Sequence, residues 1–259
     1  MNTYKIKLFI IITTVIALAS CEKVIDIDLN SASPQIVIEG NVYDQPGPYI
    51  VKLSKTVNFN ESNVFPAVRG AWVIIGDNEG NLDTLLEKSP GEYYTSTLQG
   101  VVGRTYNLTV TAAGKTYSAV STIPKSVSID SLYFGVSEDK QVTSVSINYS
   151  DPVNVGNYYH IVEFINGERL NGFDVVDDAL NPGGINIYEI FNEKNDSLKT
   201  GDNVSVWLES IDRNVFDYLR ISNSGEGDAA PANPPSNISN GALGYFNASS
   251  LSKKAIVYP

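Results

Sequence analysis

The chain contains 259 residues, of which 29 are acidic and 18 are lysine or arginine, so its formal net charge is −11 at pH 7. A chain this acidic lacks the basic surface that nucleic-acid phosphates require, and we predict no nucleic-acid partner. The single cysteine and single histidine exclude an intramolecular disulfide and a zinc site of the usual Cys and His composition.

Residues 1–20 have the pattern of a secretory signal peptide. Lys5 and Lys7 precede an apolar run over residues 8–18, which is too short to cross a bilayer, since a spanning helix needs about 20 apolar residues. A buried N-terminal helix is the alternative. Cleavage would remove two lysines and no acidic residue, and would change the net charge from −11 to −13.

Cys21 follows Leu18, Ala19 and Ser20, and this sequence resembles a bacterial lipobox. We therefore predict that the Cys21 thiol carries lipid, including a fatty acid such as palmitate, and that the lipid is the membrane anchor. Each buried methylene contributes about 0.8 kcal/mol, so several acyl chains anchor a protein without a spanning helix.

Residues 21–34 are predicted to be a lipid-anchored tether. Their acidic residues also resemble the export signal of surface-displayed lipoproteins, and a plain tether is the alternative.

Strand patterns dominate residues 35–124, for which we predict an immunoglobulin-like β-sandwich. Short runs rich in β-branched and aromatic residues alternate with turn clusters of Gly, Pro, Asn and Asp. A spacing of about 8–12 residues favours antiparallel strands over βαβ units. The predicted strands cover residues 35–43, 49–54, 71–75, 105–111 and 115–123.

Pro124 ends the last of these strands, and the same pattern begins again after it. We predict a second β-rich domain over residues 125–259, with strands at residues 141–149, 158–165 and 203–211. The predicted fold class is therefore all-β and mainly antiparallel, with an immunoglobulin-like β-sandwich followed by a second β-sandwich-like domain that carries one short helix.

That helix is predicted near residues 212–223. Asp212 can cap its N-terminus, and the residues that follow recur at helical spacing. The residues on adjoining helical positions are Val215, Phe216, Leu219 and Ser222.

Catalytic motifs are missing from the sequence, and we predict a protein that is not an enzyme and has no cofactor. It contains no Gly-rich phosphate loop, no Gly-x-Ser-x-Gly turn and no His-Glu-x-x-His pattern. His160 alternates with Tyr158, Val162 and Phe164 on one face of a predicted strand. We interpret it as a structural residue, with a catalytic or ligand-binding role as the alternative.

Carboxylates alone can hydrolyse glycosidic bonds, because a glycosidase needs only two of them. The candidates are Asp174, Asp177, Asp178, Glu189 and Glu193, and we expect solvent-exposed charge at Asp177 and Asp178 because they fall in a loop sequence.

Residues 76–81 concentrate oxygen ligands in one short segment, which could hold calcium. They lack the spaced ligands and closing glutamate of an EF-hand, so a hairpin turn is the preferred interpretation.

The chain contains fifteen tyrosines, which are the most abundant side chains suited to binding a ligand or a partner. Adjacent aromatic pairs occur at residues 93–94, 158–159 and 245–246, and each pair on a strand points one ring to either face. The outward ring either covers the sheet or offers a binding platform for a sugar, a peptide or a protein.

The segment at residues 231–250 follows a long polar connection and could be a tail, a binding loop or a structural closure. Pro234 and Pro235 favour an extended chain, and Asn240 with Gly241 favours a turn with positive φ. Residues 242–247 are then expected to form a strand that returns to the second sandwich. The candidate binding loop consists of Asn233, Pro234, Pro235, Asn237 and Asn240, with Tyr245 or Phe246 as its wall.

Residues 36–42 with 47–56, residues 204–219 and residues 233–246 together resemble the Bacteroidota lipoproteins catalogued as domain of unknown function 4249. The resemblance implies an outer-membrane lipoprotein with an immunoglobulin-like N-terminal portion, often encoded beside a TonB-dependent receptor. With the acidic segment after Cys21, it predicts a location in the outer membrane, on the cell surface rather than on the periplasmic face. It implies no catalytic residues.

The sequence therefore favours a non-enzymatic outer-membrane lipoprotein, anchored through Cys21, that captures a ligand for a TonB-dependent transporter or acts as its accessory partner. A structural or adhesive surface β-sandwich protein is the alternative. A carboxylate-dependent glycan hydrolase is the least favoured.

Overall fold

The computed structural model describes residues 33–58, 61–62, 64–136, 143–153, 156–223 and 233–259. The predicted signal peptide, Cys21 and nearly all of the predicted tether lie outside the described residues, and their predictions stay predictions. All of the strands and the helix belong to the compact unit of residues 34–57 and 61–259.

β-strands make up most of the described residues, and one α-helix and one short 3-10 helix accompany them. The strands are β1 (Ile36–Tyr43), β2 (Ile50–Lys55), β3 (Trp72–Asp77), β4 (Leu82–Thr84), β5 (Leu86–Ser89), β6 (Glu92–Tyr94), β7 (Thr105–Ala112), β8 (Lys115–Thr122), β9 (Ile129–Val136), β10 (Thr143–Ser150), β11 (Tyr158–Ile165), β12 (Glu168–Arg169), β13 (Asp174–Asp177), β14 (Ile185–Ile190), β15 (Asn203–Ile211) and β16 (Leu243–Val257). The 3-10 helix is Glu193–Ser197 and the α-helix, α1, is Arg213–Asn223.

The strands form three sheets. A nine-stranded sheet has the order β12-β11-β15-β16-β1-β2-β6-β5, with β13 also paired to β11, while β4-β3-β7-β8 and β14-β10-β9 form the two smaller sheets. Neighbouring strands are antiparallel except β1 and β16, which are parallel. The all-β, mainly antiparallel fold class with one short helix is therefore confirmed.

A first hydrophobic core joins the four-stranded sheet to strands β1, β2 and β6 of the nine-stranded sheet. Alternate residues of each strand point into it, because side chains on a strand alternate between faces. Its fully buried members include Ile38, Val51, Val73, Ile75 and Tyr106.

A second core joins the three-stranded sheet to strands β11 and β15 at the other end of the nine-stranded sheet. Val145 and Ile147 of β10 face Ile161 of β11 and Val206 of β15 in this core. The nine-stranded sheet contributes strands to both cores, so the two cores share a sheet. The domain boundary at Pro124 stays a prediction.

The last strand, β16, also takes part in both cores. It pairs with β1 over residues 243–249 and with β15 over residues 250–257. Phe246 and Ala248 lie in the first core, and Ile256 packs against the second. The strand expected at residues 242–247 is present, but it pairs with β1 before it reaches β15, which corrects the expected return to the second sandwich.

Helix α1 begins after Asp212, as predicted. The Asp212 carboxylate accepts from the Val215 amide at 3.0 Å, which satisfies one of the free N–H groups of the first turn. Val215, Phe216 and Leu219 are buried against Ile211 of β15, whereas Ser222 is exposed. No helix in the described part of the chain is long and apolar enough to cross a membrane.

Candidate functional site

The predicted binding loop is held in place by its own side chains. Asn237 hydrogen-bonds the backbone of Phe246, with Nδ2 to the carbonyl oxygen at 2.8 Å and Oδ1 from the amide at 2.9 Å. The Asn240 Nδ2 donates to the Thr116 carbonyl oxygen at 2.6 Å, and Asn240 and Gly241 have φ angles of 58° and 75°. The turn with positive φ is thus present, and these asparagines join β16 to its neighbours.

The two aromatic residues proposed as a wall lie in different surroundings. Phe246 has no exposed surface and belongs to the first core. Tyr245 is half-buried and packs against Tyr218 of helix α1, with ring centroids 5.0 Å apart. Asn233 and Pro235 are exposed and Pro234 is half-buried. A binding role for this loop stays a prediction.

The outward rings of two tyrosine pairs are covered by the helix. Tyr158 packs against Phe216 with centroids 4.8 Å apart, and Tyr245 packs against Tyr218. Their partners Tyr159 and Phe246 point into the cores. Helix α1 therefore covers part of each ring, and both tyrosines remain half-buried.

The candidate hydrolase carboxylates occupy different settings. Asp178 is buried and accepts from the Gly156 amide at 2.9 Å, so the expectation of solvent-exposed charge is wrong there, because the loop folds its carboxylate inward to satisfy backbone groups. Asp177 is exposed, as expected. Asp174 is half-buried and hydrogen-bonds Tyr188, and burial raises its pKa. Glu189 and Glu193 are exposed on β14 and on the 3-10 helix, respectively.

Residues 76–81 form the hairpin turn between β3 and β4. The Asp77 carboxylate accepts from the amides of Glu79 and Asn81 at 3.0 and 2.9 Å and pairs with Arg104 at 2.8 Å. Its oxygens therefore already have partners. Among the described residues, no three His, Cys, Asp or Glu side chains are grouped as a metal site would require.

His160 belongs to a buried polar cluster beside helix α1. It lies on β11 directly opposite Glu209 of β15, and its Nδ1 is 3.3 Å from the Glu209 Oε2. The imidazole is 7% exposed and Glu209 is 3% exposed. The Phe173 ring packs edge-on against the imidazole, with centroids 5.1 Å apart.

A cavity of about 100 Å³ opens over this cluster on the helix-facing side of the nine-stranded sheet. Strand pairing brings its walls together, because residues directly opposite each other on neighbouring strands share a face. Five strands and the helix contribute: Asn41 and Tyr43 (β1), His160 and Phe164 (β11), Arg169 (β12), Trp207 and Glu209 (β15), Tyr245 and Asn247 (β16) and Leu219 (α1).

Two buried polar atoms of cavity-lining residues have no hydrogen-bond partner among the described residues: His160 Nε2 and Asn247 Oδ1. Asn247 is 2% exposed, and its Nδ2 already donates to the Asn41 Oδ1 at 3.3 Å and the Ser249 Oγ at 3.2 Å. Because buried polar atoms almost always have partners, two such atoms on residues that line one cavity mark it as the candidate site.

One carboxylate, Glu209, and one guanidinium, Arg169, line the cavity. Burial raises the pKa of the Tyr43 hydroxyl far above its usual range, and the Glu209 carboxylate raises it further. Burial also raises the pKa of Tyr245 to about 12, although its hydrogen bond with Asn41 lowers it. Both phenols therefore stay neutral at physiological pH and can act as hydrogen-bond donors.

A larger groove of about 670 Å³ shares one wall with the cavity. Arg169 lines both, and the groove continues along the end of β11 past Phe191 and Lys194 beside the 3-10 helix. Its volume lies within the roughly 300–1,000 Å³ that small-molecule sites occupy.

Sequence reasoning identified His160 but missed the other polar members of the cavity. Asn41, Glu209 and Asn247 come from three strands far apart in the chain, and pairing that includes the parallel β1–β16 ladder brings them together. One signal was present, since Glu209 is the one charged residue of β15.

Comparison with protein-family models gave a match over residues 22–255 to the family described as Domain of unknown function (DUF4249). This match confirms the family predicted from the sequence. No curated protein matched the chain.

Several solved structures are similar to the chain at low identity. They include a two fibronectin type-III domain segment from chicken tenascin (10% identity, 87% of this chain and 100% of that chain, TM-score 0.26), a chain of a cytokine receptor complex (8%, 86% and 95%, TM-score 0.26) and the chicken interferon gamma receptor alpha chain (7%, 88% and 100%, TM-score 0.28). TM-scores of this size do not establish a shared fold.

Proposed function

The chain belongs to the DUF4249 family, and from that premise we propose that it is a non-enzymatic, lipid-anchored outer-membrane protein that captures a small ligand as an accessory partner of a TonB-dependent transporter. The cavity beside helix α1 is its ligand site, and Cys21 is its anchor. The folded part is carried on the cell surface.

The observation that carries this proposal is the pair of buried atoms without partners, His160 Nε2 and Asn247 Oδ1, on residues that line the cavity. An unsatisfied buried polar group costs about 1–3 kcal/mol. A ligand that supplies the missing hydrogen bonds would recover that free energy on binding.

The proposal assigns no chemical step to the cavity. Glu209 is its single carboxylate, whereas glycoside hydrolysis requires two carboxylates on either side of the scissile bond.

Capture is tested by native mass spectrometry of the protein purified gently from its own cells. We expect a small molecule to be retained by the wild type and lost from Asn247→Leu, which removes the unpaired acceptor at similar volume. Asn107→Leu, on an exposed position of β7, is the control. A mass equally retained by Asn247→Leu would exclude the cavity as the site.

Anchoring and partnership are tested together in outer membranes solubilised with mild detergent. Wild type should incorporate a palmitate analogue and co-purify with a β-barrel protein, and Cys21→Ser should lose the label. Labelling that persists in Cys21→Ser refutes the anchor, and repeated failure to recover any barrel refutes the transporter partnership.

A second candidate function, a structural or adhesive surface protein, is supported by the edge strand β14. Ile185 and Ile187 are 70% and 66% exposed on it, and exposed apolar edges favour contact with other chains. Under this alternative, Ile187→Lys should abolish cell adhesion or self-association while ligand retention stays unchanged.

A further inference from the structure

The two unpartnered atoms beside the cavity are both hydrogen-bond acceptors. Glu209 lies against the Nδ1 of His160, so Nδ1 is the nitrogen that carries a proton, and in the uncharged form of the ring Nε2 presents a lone pair. Asn247 has both Nδ2 bonds directed to Asn41 and Ser249, which identifies the unpaired atom as the carbonyl oxygen. A molecule that satisfies both atoms must therefore donate hydrogen bonds.

The cavity also holds one buried carboxylate, that of Glu209. Among the described residues, the ion-pair contact of Glu209 is with His160, whose Nδ1 lies 3.3 Å from the Glu209 Oε2. A buried carboxylate without a countercharge is costly. Arg169 lies at the outer rim, where it is exposed and also lines the groove.

Aromatic rings complete the walls. The rings of Phe164 (β11) and Trp207 (β15) pack with centroids 4.5 Å apart. Tyr43 lies on β1, which is two strands away from β15 on the side opposite to β11. A cation is attracted to the face of an aromatic ring. Trp207 already shows this property, because the Lys253 Nζ lies 3.8 Å from its ring centroid.

From these observations we propose that the cavity binds the primary ammonium group of a ligand. An ammonium carries three donors and one positive charge, and the cavity offers His160 Nε2, Asn247 Oδ1 and the Glu209 carboxylate. The proposal rests on the ligand-capturing function proposed above and specifies the chemistry of that site.

The volume limits how much of the ligand enters. A cavity of about 100 Å³ corresponds to about three water molecules at roughly 30 Å³ each, so it accommodates an ammonium with two or three carbons. The rest of a longer amine would extend past Arg169 into the larger groove.

The chain's single histidine makes the test selective. Long-range ¹H–¹⁵N spectra of the full chain report on His160 alone, and the probes are n-propylammonium, n-propanol and propionate, which are matched in size. We expect n-propylammonium to shift the Nε2 resonance saturably, n-propanol to bind at least tenfold more weakly, and propionate to leave the resonance unchanged.

Variants test the role of the carboxylate. Glu209→Gln keeps the shape and removes the charge, and should weaken n-propylammonium binding at least tenfold, while Glu189→Gln, an exposed carboxylate on β14, should leave it unchanged. Circular dichroism checks the fold, and if Glu209→Gln unfolds, the same loss is required of Asn247→Leu.

Equal binding of n-propanol and n-propylammonium would overturn the ammonium assignment. So would the absence of saturable binding by n-propylammonium. Either result overturns the ammonium assignment alone. The proposed capture of a ligand fails as well only if native mass spectrometry also shows no retained molecule, so the failures of the two proposals can be told apart.

Discussion

The side chain of Asn237 satisfies both backbone hydrogen-bonding groups of Phe246, at 2.8 Å to the carbonyl oxygen and 2.9 Å from the amide. Phe246 is fully buried in the first core, so this asparagine acts as a one-residue strand against β16. Residues 233–242 are also attached by a backbone bridge between Ile238 and Ala119 of β8, so the Asn237 side chain adds to that backbone contact.

Replacement of Asn237 by alanine is therefore expected to destabilise the fold. It removes two hydrogen bonds and leaves both backbone groups of Phe246 without these partners, at a cost of about 2–3 kcal/mol. Urea unfolding of wild type and variant measures the difference. Asn107→Ala, an exposed asparagine on β7, should change the free energy of unfolding by less than about 0.5 kcal/mol. A similar loss in both variants would contradict the role of the Phe246 contact.

Gly244 has a stricter steric requirement than Gly241, although both have positive φ. A Cβ at Gly244 would lie 2.1 Å from the Ile38 carbonyl oxygen of β1, whereas one at Gly241 would meet no atom within 4 Å. Gly244→Ala is expected to cost at least about 3 kcal/mol or to prevent folding, because strain adds to the clash. Gly241→Ala should cost about 1–2 kcal/mol. Denaturation midpoints that rank the two variants in the reverse order would disprove this reading of the β1–β16 contact.

Local sequence patterns predicted several of the long strands closely. The observed β1, β7, β11 and β15 begin and end within one residue of the predicted bounds, because each is a run of β-branched and aromatic residues between turn residues. The short strands β4, β5, β6, β12 and β13 were missed, since two to four residues carry too little periodicity. The longer strands β9 and β14 were missed as well. Pairing of β16 with β1 joins residues more than 200 positions apart, and no local pattern contains that information.

The candidate site was predictable only in part. His160 was visible because the chain has one histidine, and its contact with Glu209 was not predicted. Asn41 and Asn247 looked like ordinary strand residues. Their importance depends on strand order, which places them opposite each other in the β1–β16 ladder.

Asp83 should stabilise the first core in a pH-dependent way. Its carboxylate accepts from the amides of Ser96, Thr97 and Leu98 at 2.7–2.8 Å. Burial raises the pKa of Asp83, but these hydrogen bonds outweigh burial and hold the pKa below its usual range. The stabilisation is therefore complete above the unfolded pKa of about 3.9 and is lost as the pH falls through the folded pKa.

Asp83→Asn is expected to cost at least about 2 kcal/mol at pH 7, because charge-assisted hydrogen bonds are replaced by weaker ones and by a misplaced donor. The difference from wild type should stay constant between pH 5 and 8 and shrink below pH 4. Urea unfolding across this range measures it, with the exposed Glu79→Gln as control. A difference that grows at low pH would refute the assignment.

Glu163 has the opposite pH dependence. It lies on the face of β11 opposite to His160, and its Oε2 accepts from the Asn195 Nδ2 of the 3-10 helix at 3.4 Å. Glu163 Oε1 and Asn195 Oδ1 are both buried without a partner among the described residues. If Glu163 carried a proton on Oε1, it could donate a hydrogen bond to the Asn195 Oδ1. Burial raises the pKa of Glu163 to about 7, and Asp174 on β13 raises it further while Asn195 lowers it.

Because the folded pKa of Glu163 lies above the unfolded value, the folded state binds more protons, and stability should fall as the pH rises from about 4.5 to about 7. The loss amounts to about 3 kcal/mol, at roughly 1.4 kcal/mol per pH unit. Glu163→Gln supplies a permanent donor to Asn195 in place of the proton, so it should match wild type near pH 5 and exceed its free energy of unfolding by about 3 kcal/mol at pH 8. Glu193→Gln, exposed on the same 3-10 helix, should reproduce the wild-type profile in urea unfolding. If Glu163→Gln is instead less stable than wild type at pH 8, Glu163 functions as a buried carboxylate and the shared proton does not exist.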